Sequence, residues 1–107
     1  MKKSNYKLDL KKITSVYNNG SVIESRLVGW LYDAFEIYGI DLKKISGKVD
    51  SNGEGAWTVD TAKAMKLKAK VIEESLNFRK QSQKNPDYTG QVVSALRGQF
   101  GQHKVEK

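Results

Sequence analysis

Residues 21–38 read SVIESRLVGWLYDAFEIY, and this stretch decides the fold class. Leu27, Trp30, Leu31, Ala34, Phe35 and Tyr38 recur at spacings of three and four. At 3.6 residues per turn these positions line one side of a helix, so the pattern predicts an amphipathic α-helix with one buried stripe. Its ends are marked as well. Gly20 precedes it and Gly39 follows it, consistent with a break at each end. Ser21 and Glu24 have the spacing of a capping box, in which the Ser21 hydroxyl accepts from a backbone N–H and Glu24 reaches back to the cap N–H. The helix is therefore expected to begin at Ser21.

The same period recurs on both sides of it. Residues 8–17 predict a shorter helix with Leu10, Ile13 and Val16 inward, and residues 41–45 predict a single helical turn. Small and polar residues from Ser46 to Gly55 predict a loop. Thr58 is the expected cap of a helix over 59–67. A further helix is expected over 71–83, burying Ile72, Leu76 and Phe78. Asn85-Pro86-Asp87 stops it, because the residue before a proline resists helical geometry. The last helix is expected over 89–100 with Val92, Val93, Leu96 and Phe100 inward, ended by Gly101 and followed by an exposed tail. No stretch alternates with the period of a strand. The expected fold is all-α, one helical domain of about five helices spanning residues 1–107.

A chain of 107 residues suits one domain. It is too short for a doubly wound dinucleotide-binding domain beside a separate substrate domain. Hydrophobic residues make up 38% and charged residues 29%, ordinary for a soluble globular protein. With no cysteine, disulfides and cysteine-based metal sites are excluded, and the expected compartment is the cytoplasm. No apolar run approaches the ~20 residues of a membrane span. The basic start, Met1-Lys2-Lys3, has no apolar stretch behind it of the kind a secretory signal needs. The net charge of +7 favours anionic partners. That charge fits a sugar phosphate or a nucleic acid, and a small basic helical nucleic-acid-binding module is the alternative reading. Against it, the lysines are spread over several segments and no recognition helix is evident.

The catalytic inventory is thin. His103 is the only histidine, so neither a histidine metal cluster nor an oriented Ser/His/Asp set can be assembled. Neither glycine fingerprint for nucleotide phosphates is present. No catalytic, cofactor-binding or metal-ligating residue is assigned. Two segments stand out. Residues 53–58, GEGAWT, join a glycine-rich turn to a helix start, where backbone N–H groups approach an anion or another chain closely. The simpler reading there is a tight turn whose Trp57 plugs the core. Residues 95–103, ALRGQFGQH, place Arg97 on the last helical turn and His103 just past a glycine break. A guanidinium grips phosphate through two parallel hydrogen bonds, and an imidazole adds a third donor. On side-chain chemistry alone, an exposed helix arginine and a tail histidine are the better account of the pair.

Three segments taken in order carry a family resemblance: residues 17–27, YNNGSVIESRL; residues 53–58, GEGAWT; and residues 96–103, LRGQFGQH. They resemble successive motifs of the decarboxylating 6-phosphogluconate dehydrogenases, closest to the shorter-chain bacterial branch. Residues 71–79, VIEESLNFR, resemble a helix of the same branch. The resemblance runs from about Leu8 to His103. It implies the helical C-terminal domain of such an enzyme, with the N-terminal Rossmann cofactor domain absent from this chain. The family oxidises 6-phosphogluconate with NADP or NAD and releases carbon dioxide and ribulose 5-phosphate, a step of the pentose phosphate pathway. Its catalytic lysine and glutamate lie upstream of everything in this chain. The resemblance therefore implies a fragment that binds no cofactor and is inactive alone. It also implies a homo-oligomer, at least a dimer, in which Arg97 and His103 hold the substrate phosphate in a neighbouring subunit. Ala56 stands where the family commonly has a basic residue, Gln102 where it has a small one, and Tyr17 where tryptophan is common.

Overall fold

A computed structural model describes residues 1–100 of the chain. Five helices follow in order: α1 (Leu10–Tyr17), α2 (Arg26–Tyr38), α3 (Glu54–Ala64), α4 (Lys70–Ser82) and α5 (Tyr88–Gln99). No strand occurs among the described residues. The architecture is all-α.

α2 lies between α1 and α5 and supplies the centre of the core. Ala34 and Phe35 are buried with Leu10 from α1 and Ala95 from α5, and Leu31 and Tyr38 flank them half-buried. The stripe expected from the periodicity is thus the buried one, except at Leu27, which is exposed. The start of α2 differs from the expected capping box. Ser25, not Ser21, is the cap, and its hydroxyl accepts from Val28 N at 3.1 Å. The cause lies upstream. Asn18 Oδ1 accepts from Ser25 N at 2.9 Å, which holds Ser25 in extended backbone (φ −169°, ψ 164°) and delays the helix. Residues 21–24 form a turn instead, with Glu24 N donating to Ser21 O at 3.2 Å. Glu24 does reach back, but to Gly20 N at 2.7 Å, and the Ser21 hydroxyl donates to Tyr17 O. In α1 Leu10 and Thr14 are buried, the Thr14 hydroxyl donates to Leu10 O at 3.0 Å, and Val16 faces solvent.

The segment after α2 does not lie over the surface as a loop. It enters the core. Leu42 is completely buried, and Ile45, Gly47 and Val49 are buried behind it. Leu42 has φ +50°, a conformation that costs a leucine about 1 kcal/mol. Side-chain hydrogen bonds from α5 hold it there. Gln91 Nε2 donates to Leu42 O at 2.9 Å and to Ile45 O at 3.0 Å, and the Tyr88 hydroxyl donates to Ile40 O at 2.7 Å. Burial, then the nearby Asp41 carboxylate, push the Tyr88 hydroxyl above its ordinary pKa. Lys2 pairs with Asp41 and lowers that carboxyl by hydrogen bond and by charge.

α3 and α4 form a hairpin outside the main core cluster. α3 begins at Glu54 with Gly53 as its cap at φ +90°, so Thr58 lies inside the helix and donates to Glu54 O at 2.8 Å. The C-terminal end of α4 ties the hairpin to the rest of the chain. Ser82 Oγ accepts from Val49 N at 2.8 Å, Gln83 Nε2 donates to Val49 O at 2.9 Å, and Arg79 Nη1 donates to Asp50 O at 2.9 Å. The projecting hairpin fits a radius of gyration of 15.7 Å, against roughly 13 Å for a compact chain of this length.

α3 ends in a Schellman motif: Leu67 N donates to Ala62 O at 2.8 Å and Lys66 N to Lys63 O at 3.0 Å. The left-handed position of that motif is filled by Lys66, at φ +57°. Glycine has no Cβ penalty there. Lys66→Gly is expected to stabilise the chain by about 0.5–1 kcal/mol in urea unfolding, and a loss of stability would contradict the assignment.

Candidate functional site

The C-terminal end of α5 is built by its own sequence. Asn85-Pro86 ends the preceding segment, and Asp87 caps α5 by accepting from Gly90 N at 3.0 Å. The helix then runs for 12 residues to Gln99. Phe100 leaves it with extended backbone (φ −78°, ψ 108°), while its N–H still donates to Leu96 O.

Arg97 sits in the last turn, where a cation is favoured by the exposed carbonyls of the helix end. Its side chain is held by Phe100 at two points. Arg97 Nη1 donates to Phe100 O at 2.7 Å, and the guanidinium carbon lies 4.8 Å from the centre of the Phe100 ring. The Phe100 ring in turn meets Trp30 of α2 edge to face, with centroids 5.0 Å apart and planes at 72°. The end of α5 is thus pinned onto the central helix. Phe100, expected to be buried, is 48% exposed.

Trp30 also forms one wall of an open cleft of about 540 Å³ at the α1–α2 junction, lined further by Asn18, Glu24, Ser25, Arg26 and Asp33. The carboxylates of Glu24 and Asp33 face the same space as Arg26, so the cleft is of mixed charge. Gly29 also lines it, close against Asn18. A Cβ there would come within 3.1 Å of Asn18 Nδ2, the side chain that sets the start of α2.

The expected site residues fare differently. Arg97 is on the surface of α5, as expected. His103 lies outside the described residues. In the second segment Gly53 takes the left-handed conformation expected of a glycine turn, and Asn52 Oδ1 accepts from Glu54 N at 3.2 Å. Trp57 does not plug the core. It is 72% exposed, because α3 starts five residues earlier than expected and turns that position outward. Sequence reading did not find the Trp30–Phe100 contact, which joins two helices far apart in the chain. Nor did it find Arg79 over the backbone that leads into α3. Among the described residues no cluster of histidine, cysteine and carboxylate side chains is placed to hold a metal ion. Among them, too, no helix is long and apolar enough to cross a membrane.

No family model matches the chain. Individual proteins do. Over all 107 residues the chain is 41% identical to YqeC of Bacillus subtilis (strain 168), a protein provisionally named as a 6-phosphogluconate dehydrogenase. The chain is a relative of the 6-phosphogluconate dehydrogenases. A second relative, the NAD(+)-dependent decarboxylating 6-phosphogluconate dehydrogenase of Haloferax volcanii, is 32% identical over 102 residues, 95% of this chain. The match falls on the C-terminal part of such dehydrogenases. The chain spans about a third of these relatives, 36% of the first and 34% of the second.

Proposed function

We propose that this chain is the substrate-side helical domain of an NAD(P)-dependent, decarboxylating 6-phosphogluconate dehydrogenase. In this reading it supplies Arg97 and His103 to the phosphate of 6-phosphogluconate bound in a neighbouring protomer, and it carries the subunit interface. The observation behind the reading is the 41% identity that runs through the whole chain to a protein bearing that name. The position of Arg97 supports it: the residue lies at an exposed helix end, and a guanidinium matches phosphate geometry with paired N–H groups.

Self-association is supported by apolar side chains left outside the core. On the hairpin Trp57, Val71, Met65 and Leu67 are exposed, and ahead of α2 so are Val22 and Ile23. Exposed apolar residues gathered on one element favour burial against another chain.

In this reading the nucleotide is held by another domain of the enzyme. A dinucleotide fold needs a strand leading into a glycine turn, and no described residue is in a strand. No oxidation step is therefore derived from this domain. Its part is to bind and orient the anionic end of the substrate, which fixes the sugar for chemistry performed elsewhere. The test is turnover by the full-length protein that carries this domain. With 6-phosphogluconate and NAD or NADP it is expected to release carbon dioxide and ribulose 5-phosphate in equal amounts. Absence of both products with either nucleotide would remove the reading.

A further inference from the structure

We infer that Phe100, braced by Trp30, is a positioning residue that sets the orientation of the Arg97 guanidinium for its phosphate; the inference rests on the phosphate role proposed above for Arg97. An arginine side chain on a helix surface has four rotatable bonds and many rotamers, so a clamp built on it needs something to fix the plane of its fork. Phe100 supplies two restraints from one residue. Its carbonyl accepts from Nη1 at 2.7 Å, and its ring lies under the guanidinium at 4.8 Å. A bond at one corner and a ring against the face together define the guanidinium plane. The carbonyl reaches Nη1 because Phe100 leaves the helix in extended backbone.

The ring is itself held. Trp30 meets it edge to face at 5.0 Å, and Trp30 stands on α2, whose Ala34 and Phe35 are buried in the core. The chain of contacts therefore runs from the central helix of the core to the cation. Core formation does not account for the aromatic residue at position 100, which is half exposed and absent from the core cluster.

The experiment is steady-state kinetics of the full-length protein, with inorganic phosphate as a competitive probe. Phe100→Leu keeps an apolar side chain and removes the ring. It is expected to raise KM for 6-phosphogluconate about fivefold, weaken phosphate inhibition in parallel and leave kcat within about twofold. Phe100→Tyr, which keeps the ring, is expected to restore KM to near the wild-type value. Trp30→Leu should move KM in the same direction by a smaller factor. In an Arg97→Ala background, Phe100→Leu should add nothing, because the group it orients is gone. An equal fivefold rise in that background would show a merely structural role and overturn the inference, as would an unchanged KM in Phe100→Leu alone. A wild-type KM in Arg97→Ala is a separate outcome: it removes the phosphate role itself.

Discussion

Replacing Arg97 by alanine in the full-length protein is expected to raise KM for 6-phosphogluconate about 100-fold, with kcat reduced far less. The magnitude follows from the bond type. Hydrogen bonds to a charged partner contribute about 1.5–3 kcal/mol each to binding, and a guanidinium presents two in parallel to one phosphate. The effect falls mainly on KM because the phosphate is remote from the reacting carbon and is gripped alike in ground and transition states. Arg97→Lys should recover only part of the loss. An ammonium carries the charge but cannot bridge two phosphate oxygens with a planar fork. Initial-rate kinetics across substrate concentration checks both variants, and a KM unchanged in Arg97→Ala would contradict the role. Thermal melting of each variant separates this from misfolding, because Arg97 is exposed and its loss leaves no cavity.

The largest effect on stability is expected at Gly90, far from any ligand. The first turn of α5 crosses the segment after α2 with backbone against backbone. A Cβ added at Gly90 would lie 1.9 Å from Gly47 O, and one added at Gly47 would lie 2.6 Å from Asp87 O. The neighbour in each case is main chain, which cannot swing aside as a flexible side chain does. Separating the two backbones would also pull Gln91 away from the Leu42 and Ile45 carbonyls and disturb the site where Leu42 is fully buried. Gly90→Ala is expected to cost about 3 kcal/mol, lowering the thermal midpoint by about 15 °C. A melting curve matching wild type would mean that the crossing is looser than the structure describes. Gly55→Ala is the natural control, since a Cβ there meets only Leu76 Cδ1 at an ordinary 3.9 Å.

That crossing also marks what the sequence leaves unsaid. The central helix is legible because Leu31, Ala34, Phe35 and Tyr38 obey the helical period, and α5 is legible because Pro86 and Asp87 punctuate its start. Helix starts are less so. Ser21-Val22-Ile23-Glu24 has a valid capping spacing, yet a hydrogen bond from Ser25 N to Asn18 Oδ1 moves the cap to Ser25. Leu42, Ile45 and Val49 are spaced by three and four yet lie in no helix; Gln91 and Tyr88 hold the start of that segment by its carbonyls from nearly 50 residues away, and Ser82 and Gln83 hold Val49. Local pattern carries no information about such contacts. At the candidate site, Arg97 was visible as a cation on a last helical turn. The Phe100 ring three residues later was visible too, but was read as core. Only the packing of α2 against α5 brings Trp30 to it.

The central claim is that the end of α5 grips a phosphate belonging to a substrate in an adjoining protomer. Its most direct test is a crystal structure of the full-length protein with 6-phosphogluconate bound. The account predicts that the Arg97 guanidinium donates to the substrate phosphate at about 3 Å, from a protomer other than the one holding the sugar. A phosphate held entirely by other residues, with the Arg97 guanidinium donating to none of its oxygens, would contradict it.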